Sequence, residues 1–536
     1  MNFDFLHYPY PSQRTTVMAK NGMVATSQPL AAQVGLEMIK RGGNAIDAAI
    51  ATAAALTVTE PTSNGIGSDA FALVWVKDKL YGLNGSGPAP QSISAAKVKE
   101  RGYKKMPRHG FLPVTVPGAP SAWAELSKRF GRLPLTEVLQ PAIRYAEEGY
   151  PLSPILGKNW ASAYKKYQEW FTGKEFANWF ATFAPSGRAP QIGEVWKSPD
   201  HARTLRAIAE TESESFYRGA IAEKIAAFFK QYDGFLSAED LAAFRAQWVE
   251  PIKLNYRGYD VWEIPPNGQG LVALAALNIV KGYDFPYKDT VETYHRQMEA
   301  MKLAFTDGKQ YISDPADMKI TVEEILSENY AAMRREKITA KAIEPEVYQP
   351  HSGGTVYLAA ADGEGNMVSY IQSNYMGFGS GLVVPGTGIA LQNRGADFSL
   401  EEEDANVLKP GKKTYHTIIP GFLTKDGEAV GPFGVMGGYM QPQGHMQVIM
   451  NTVDFHLNPQ AALDAPRWQW IGGKKFQVEP HFPLAIAQQL KRKGHEIERL
   501  MDTGGFGRGQ IIWREKDSGV LMGGTESRTD GSIAAW

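Results

Sequence analysis

The order of helix and strand signals predicts an α+β fold, with helices packed outside stacked antiparallel sheets. Three observations carry this. Strand signals crowd into the chain from residue 355 onward. Helix patterns dominate from about 119 to 345. Only residues 23 to 130 mix the two, so the strict alternation that builds a doubly wound parallel sheet is missing.

Taken in order, Ser27 is placed to cap a helix that has Pro29 just inside it and Leu30, Val34 and Met38 on its apolar face. Gly42-Gly43 stops that helix. A second, Ala-rich helix runs from Asn44 or Ala45 to about Val58, and its small side chains suit close packing on a sheet. Residues 60–67 form a loop, and Ala70 to Val76 with Lys79 to Gly82 read as a hairpin. The middle carries helices at Ser121 to Arg129, Thr136 to Glu148, His201 to Glu210 and Val291 to Tyr311. Strands follow at 355–362, 366–373, 388–392, 417–424, 429–435 and 510–513. Helices near Met440 to Thr452 and Pro483 to Lys493 interrupt them. The polar, Pro-containing segment Lys337 to Ser352 reads as a surface linker.

Bulk properties narrow the chemistry. A 58.9 kDa chain with 43% hydrophobic and 21% charged residues is an ordinary globular composition, long enough for several layers. The net charge of −1 gives no basic excess to attract nucleic acid or a membrane surface. With no cysteine there is no disulfide, thiolate nucleophile or Cys-based metal site. Met1 to Lys20 lacks an apolar h-region, and the longest apolar stretch, Ala48 to Val58, is too short to span a bilayer. A cytoplasmic location is therefore the default expectation. No Gly-x-Ser-x-Gly elbow, phosphate-binding Gly-Lys loop or dinucleotide fingerprint occurs. His295 and Glu299 lie four apart on a helix pattern, but without a second histidine at the required spacing they do not form a His-Glu-x-x-His zinc site. No metal or cofactor is expected.

The most informative segment is Gly353-Gly354-Thr355, which opens a strand-like run. If the bond before a threonine is cut, the new α-amine can serve as base for the threonine's own hydroxyl. The glycine pair is expected to supply the unusual backbone angles that let this hydroxyl reach the Gly354 carbonyl. The same letters recur at Gly523-Gly524-Thr525, and either copy alone also fits a turn entering a strand.

Further residues resemble a known family. Gly42 to Ala49, Glu60 to Gly67, Val116-Pro117-Gly118-Ala119 and Pro141 to Tyr150 are similar to motifs of the γ-glutamyltransferases, also called glutathione hydrolases. So are His295 with Glu299-Ala300 and Lys302, Asp314-Pro315, Phe378 to Gly381, Pro385 to Gly388, Asp397-Phe398, Gly437-Gly438 and Ala465-Pro466-Arg467. The similarity is colinear from about residue 20 to the end. It implies an N-terminal-nucleophile hydrolase with a four-layer αββα sandwich. It also implies self-cleavage between Gly354 and Thr355, with fragments 1–354 and 355–536 staying together as one domain. Thr355 then matches the nucleophile, Ser373 the hydroxyl that orients it, and Gly437 and Gly438 the oxyanion hole. Thr525 falls in the family's C-terminal strand.

Departures cluster on substrate recognition. Ala95 stands where the family has an arginine for the glutamyl α-carboxylate. His416-Thr417 stand in place of two serines, Tyr375 of an asparagine and Arg394 of a glutamine. Asp397, which pairs with the α-amine in the family, is kept. Val356 replaces a second threonine after the nucleophile. Arg394, or else Arg108, is placed to supply the missing cation. The leading expectation is a γ-glutamyltransferase-like enzyme that cleaves γ-glutamyl amides such as glutathione. Its substrate is a small amide with an anionic acyl group, and its acceptor is water, an amino acid or a peptide. A cephalosporin- or glutaryl-acylase on the same scaffold is the alternative, as is a silent, uncut binding protein.

Overall fold

Along the strand Gly354–Asp362, Tyr357, Ala359 and Ala361 face one core while Val356, Leu358 and Ala360 face another. This period of two marks a strand buried on both sides. The computed structural model describes residues 4–6, 13–345 and 353–536. The strand lies near the middle of a seven-stranded antiparallel sheet. Its order is Ser532–Ala535, Gly22–Thr26, Gly354–Asp362, Met367–Tyr375, Asp69–Val76, Lys79–Gly85 and Gln247–Val249. A second seven-stranded antiparallel sheet runs Val17–Ala19, Leu521–Thr525, Arg508–Arg514, Glu428–Met436, Gly421–Lys425, Tyr259–Glu263 and Ile252–Tyr256.

Phe71, Leu73, Tyr357 and Ile371 of the first sheet meet Phe422, Met436 and Ile512 of the second, so the sheets stack face to face. The outer face of the first sheet packs on the helices Pro29–Lys40 and Ala45–Thr59. The outer face of the second packs on Gly270–Val280, Val291–Tyr311 and Met440–Val453. The expected four-layer αββα sandwich is what forms. Both sheets draw strands from either side of residue 355.

The Ala-rich helix starts at a capping box, in which the Asn44 side chain accepts from the Asp47 N–H and Asp47 from the Asn44 N–H. Three expectations need correction. Ser27 does not cap the first helix; Gln28 takes that position without a side-chain bond, and the Ser27 hydroxyl goes to buried Glu60. Thr136 to Glu148 is two helices, Leu135–Val138 and Gln140–Glu148, divided just before Pro141. No strand forms at 388–392. Gly379, Gly381, Gly386 and Gly388 all sit at positive φ, and the coiled chain makes only isolated bridges, Gly67 to Leu391 and Val383 to Ala390. Of the expected linker, residues 337–345 are described and 346–352 lie outside the described residues.

Candidate active site

The pairing between Gly354–Asp362 and Met367–Tyr375 slips at the start of the first strand. Gly354 faces Tyr375 and Val356 faces Gln372, so Thr355 opposes both Ser373 and Asn374. This β-bulge brings Ser373 beside Thr355. The two hydroxyl oxygens are 3.0 Å apart, and Ser373 Oγ is 2.8 Å from the Gly354 carbonyl oxygen. Ser373 has one proton, which goes to that carbonyl. Its oxygen accepts from the Tyr375 N–H at 2.8 Å and from the Thr355 hydroxyl. Nucleophilic oxygen, hydroxyl bridge and carbonyl thus form one chain at the bond expected to break. Ser373→Ala is expected to slow cutting of that bond about 10²-fold, followed as fragment appearance on a denaturing gel. The hydrogen bonds lost in the same variant should cost about 1–3 kcal/mol of stability in urea melts.

The glycines before Thr355 differ from expectation. Gly354 does not sit at positive φ. What they provide is space: a Cβ on Gly353 would lie 2.7 Å from the Tyr375 carbonyl oxygen, and one on Gly354 3.0 Å from the Gly377 nitrogen. Positive φ falls instead on Tyr375 (+75°), at a cost of about 1–3 kcal/mol. It falls also on Gly437 (+141°) and Gly438 (+61°). Gly438 lies against Gly353, within 3.5 Å of where that residue's Cβ would be. Its carbonyl accepts from Gln269 Nε2 at 2.9 Å, which holds the glycine turn from behind.

Next to this centre lies a buried polar nest. Arg394 is 1% exposed. It donates from Nη1 to Thr417 Oγ1 at 2.6 Å and stacks 4.1 Å over the Tyr375 ring. Its Nε and Nη2 have no partner among the described residues. Asp397 accepts from the hydroxyls of Tyr375 and Tyr439 at 2.8 Å each, both on Oδ1. Asp397 Oδ2 is unpartnered and 3.8 Å from Arg394 Nη1. Lys309, whose ammonium is pushed down to about 8 by burial, donates to the Tyr439 oxygen. His416 is fully buried. Its Nε2 is 2.9 Å from Asp69 Oδ2, and its Nδ1 accepts from the Ile418 N–H at 3.4 Å. Burial pushes the Asp69 carboxyl up to about 7, and burial beside Arg394 pushes the imidazole well below its usual range. With both ring nitrogens occupied, His416 buttresses Thr417 from the neighbouring position. Ala95 packs with the apolar group that includes Phe398.

Thr355, Ser373, Tyr375, Arg394, Asp397, His416, Thr417, Gly437 and Gly438 therefore gather in one region, while Arg108 lies apart on an adjoining cleft. That cleft, of about 360 Å³, touches Gly353, Gly354, Gly377 and Gly437. Asp69, Gln269, Lys309 and Tyr439 were not legible as site residues. Only the position of Tyr439, directly after the glycine pair, carried a hint.

The His295 motif builds something else. Glu299 Oε1 is 2.5 Å from Lys302 Nζ, both fully buried. His295 donates from Nε2 to Thr339 O at 2.8 Å, so its Nδ1 accepts from His495 Nε2 at 2.8 Å. Burial pushes His495 down to about 3, so both rings are neutral donors and acceptors. Three ligand-type atoms converge here, but Lys302 already serves as the cation and the two rings share a proton. Lys302 also donates to Ile343 O at 2.8 Å, and Glu299 accepts from the Ile343 N–H at 3.0 Å. The cluster thus pins the described part of the expected linker. Lys302→Met strands a buried carboxylate and is expected to cost about 3–5 kcal/mol, read from urea or thermal melts.

The sequence profile of the gamma-glutamyltranspeptidase family matches residues 31–536. The glutathione hydrolase-like YwrD proenzyme of Bacillus subtilis is 35% identical, with 96% of this chain and 99% of that one covered. The oxamate amidohydrolase proenzyme of Klebsiella pneumoniae is 32% identical, with 97% and 99% covered. Among solved structures, the cephalosporin acylase from Bacillus halodurans superposes with a TM-score of 0.98 at 66% identity, covering 100% of this chain and 99% of that one.

Proposed function

Because this chain belongs to the γ-glutamyltranspeptidase family, whose members are hydrolases and transferases, we propose that it is a self-processing threonine amidohydrolase and acyltransferase. Maturation begins with Thr355 Oγ attacking the Gly354 carbonyl carbon, which Ser373 polarises through the carbonyl oxygen. The C–N bond breaks as an ester to Oγ forms, and the released amine takes the hydroxyl proton. Water then hydrolyses the ester, leaving a Gly354 carboxylate and a free Thr355 α-amine. Fragments 1–354 and 355–536 stay joined because both sheets need strands from each.

In turnover the α-amine takes the Thr355 hydroxyl proton while Oγ attacks an amide carbonyl. The Gly437 and Gly438 N–H groups receive the developing oxyanion, and the departing amine takes the proton. Water or an amino-group acceptor resolves the acyl-Thr355 ester. The carrying observation for the acyl group is Arg394, a buried guanidinium with two nitrogens unpartnered, which suits an acyl carboxylate. The unpartnered Asp397 Oδ2 beside it suits an ammonium, and the two together fit a γ-glutamyl head.

A second reading takes the acyl group as glutaryl or a similar dicarboxylic half-amide without the α-amine. It is favoured by Ala95 and by the 66% identity to a cephalosporin acylase. We place the enzyme in the cytoplasm. γ-Glutamyl, glutaryl and adipyl anilides, assayed on processed protein with Thr355→Ala as blank, test the assignment. Fastest release from the γ-glutamyl anilide supports the main reading and fastest release from the glutaryl anilide the second. No release from any of the three sinks both.

A further inference from the structure

Gln269 occupies the N-cap position of the helix Gly270–Val280 but makes no side-chain cap bond. Ser, Thr, Asp or Asn is the usual residue there, because a short oxygen-bearing side chain reaches the free N–H groups of the first turn. The Gln269 amide goes elsewhere and is fully buried. Its Oε1 accepts from the Tyr415 hydroxyl at 2.9 Å. Its Nε2 donates to the Thr417 carbonyl at 2.6 Å and to the Gly438 carbonyl at 2.9 Å. Carbonyl oxygens only accept, so the amide has a single orientation and both of its protons are used.

The two carbonyls belong to segments with different tasks. Thr417 holds the Arg394 guanidinium through its own hydroxyl. Gly438 is half of the glycine pair assigned to the oxyanion. Two successive glycines at positive φ place no side-chain limit on the direction of their peptide groups, so a contact from outside has to set it. The Gly438 carbonyl also accepts from the Gln441 N–H at 3.2 Å, but that bond lies within the same turn. The bond from Gln269 refers the turn to the same nitrogen that fixes Thr417. The other end of the clamp is rigid as well. The Gln269 N–H donates to the His416 carbonyl and the His416 N–H to the Asn267 carbonyl, at 2.9 Å each. A Cβ on Gly270 would lie 2.6 Å from Glu263 Cβ, so the start of the helix is pressed onto the strand before it.

We propose that Gln269 is a positioning residue for acyl transfer, whose side-chain amide clamps the Gly437-Gly438 turn to the segment that seats Arg394. The inference rests on the acyl-transfer reading above and adds the side chain that keeps acyl recognition and oxyanion stabilisation in one fixed relation. Gln269 acts through Thr417 and Gly438. Its loss leaves the Arg394 contact to Thr417 Oγ1 in place and frees the glycine turn to shift against it.

The test uses processed enzyme and whichever of the three anilides is cleaved fastest. Gln269→Glu keeps an oxygen for Tyr415 but offers at most one proton, so at least one of the two carbonyls is released. Its kcat is expected to fall about 10²-fold, as for a misplacement of about 1 Å at a reacting centre. Its KM should stay within about threefold of wild type, because the lost alignment matters only in the transition state. Tyr415→Phe removes only the hydroxyl that orients the amide and should lower kcat about fivefold in the same pattern. Urea melts are run alongside, and rates are taken well below each unfolding transition. A merely structural role then weakens the melt and leaves kcat per processed chain unchanged. Wild-type kcat in both variants, or a raised KM at wild-type kcat, overturns the positioning role while leaving acyl transfer intact. If Gln269→Glu fails to fold or is not cut, Tyr415→Phe alone decides. No turnover of any anilide by the wild type overturns acyl transfer, and the positioning role with it.

Discussion

Thr355→Ala is expected to persist as one 58.9 kDa chain and to lose at least about 10⁴-fold in activity. The wild type, by contrast, should resolve into pieces of about 39 and about 20 kDa, from the share of the mass on either side of the Gly354–Thr355 bond. The argument is geometric. In the uncut chain Thr355 has no amine of its own, and its hydroxyl is buried and donated to Ser373. The only reaction this arrangement favours is attack on the adjacent Gly354 carbonyl, which Ser373 activates at 2.8 Å. Cutting then supplies the base and opens the carbonyl side of the site together. A methyl at 355 removes the nucleophile for both reactions. A denaturing gel and an anilide assay on the same sample check this. Full amide cleavage by a chain that sequencing finds whole at 354–355 would sink the mechanism, and a wild type that stays whole and inert supports a silent binding protein instead.

Arg394→Gln should lower kcat/KM for an anionic acyl donor by roughly 10²–10³-fold, and Arg394→Glu by more, the former corresponding to about 3–4 kcal/mol for a desolvated charge contact. Most of the change is expected in KM, because an acyl carboxylate touches the guanidinium equally in ground and transition states. The guanidinium's resident contacts are modest: one hydrogen bond to Thr417, the Tyr375 ring and a 3.8 Å approach to Asp397. A cation desolvated this far with two nitrogens unpartnered is costly to keep for packing alone. An amide with a neutral acyl group serves as control and should respond far less. If KM for the anionic donor is the same in Arg394→Gln as in the wild type, Arg394 is a structural charge and the carboxylate anchor lies elsewhere.

How much of this was legible in the sequence depended on the range of the interactions involved. The helix Val291–Tyr311 was readable to its ends, because Thr290 caps it and its pattern is local. The Ala-rich helix was readable for the same reason, with Asn44 at its start. Thr355, Ser373, Arg394 and Asp397 were nameable from colinear motifs. The bulge that sets Ser373 against Thr355 was not, since register slips leave no mark in composition. Nor was the pairing of Asp69 with His416, which joins residues 347 positions apart. The edge strands Ile252–Tyr256 and Ser532–Ala535 were missed because short strands with an exposed side carry weak periodicity. The strand expected at 388–392 failed because Gly388 at its start, like Gly386 just before it, sits at a positive φ that no strand uses.

The weaving of both sheets from segments before and after residue 355 has one more consequence. If the backbone is cut at Gly354–Thr355 as proposed, native structure becomes a complex of two polypeptides, and neither retains enough neighbouring strands to complete a sheet alone. Loss of that structure is then a dissociation, and regaining it depends on concentration. The mature form should endure through a slow rate of coming apart, with heat inactivation that depends on scan speed and does not reverse on cooling.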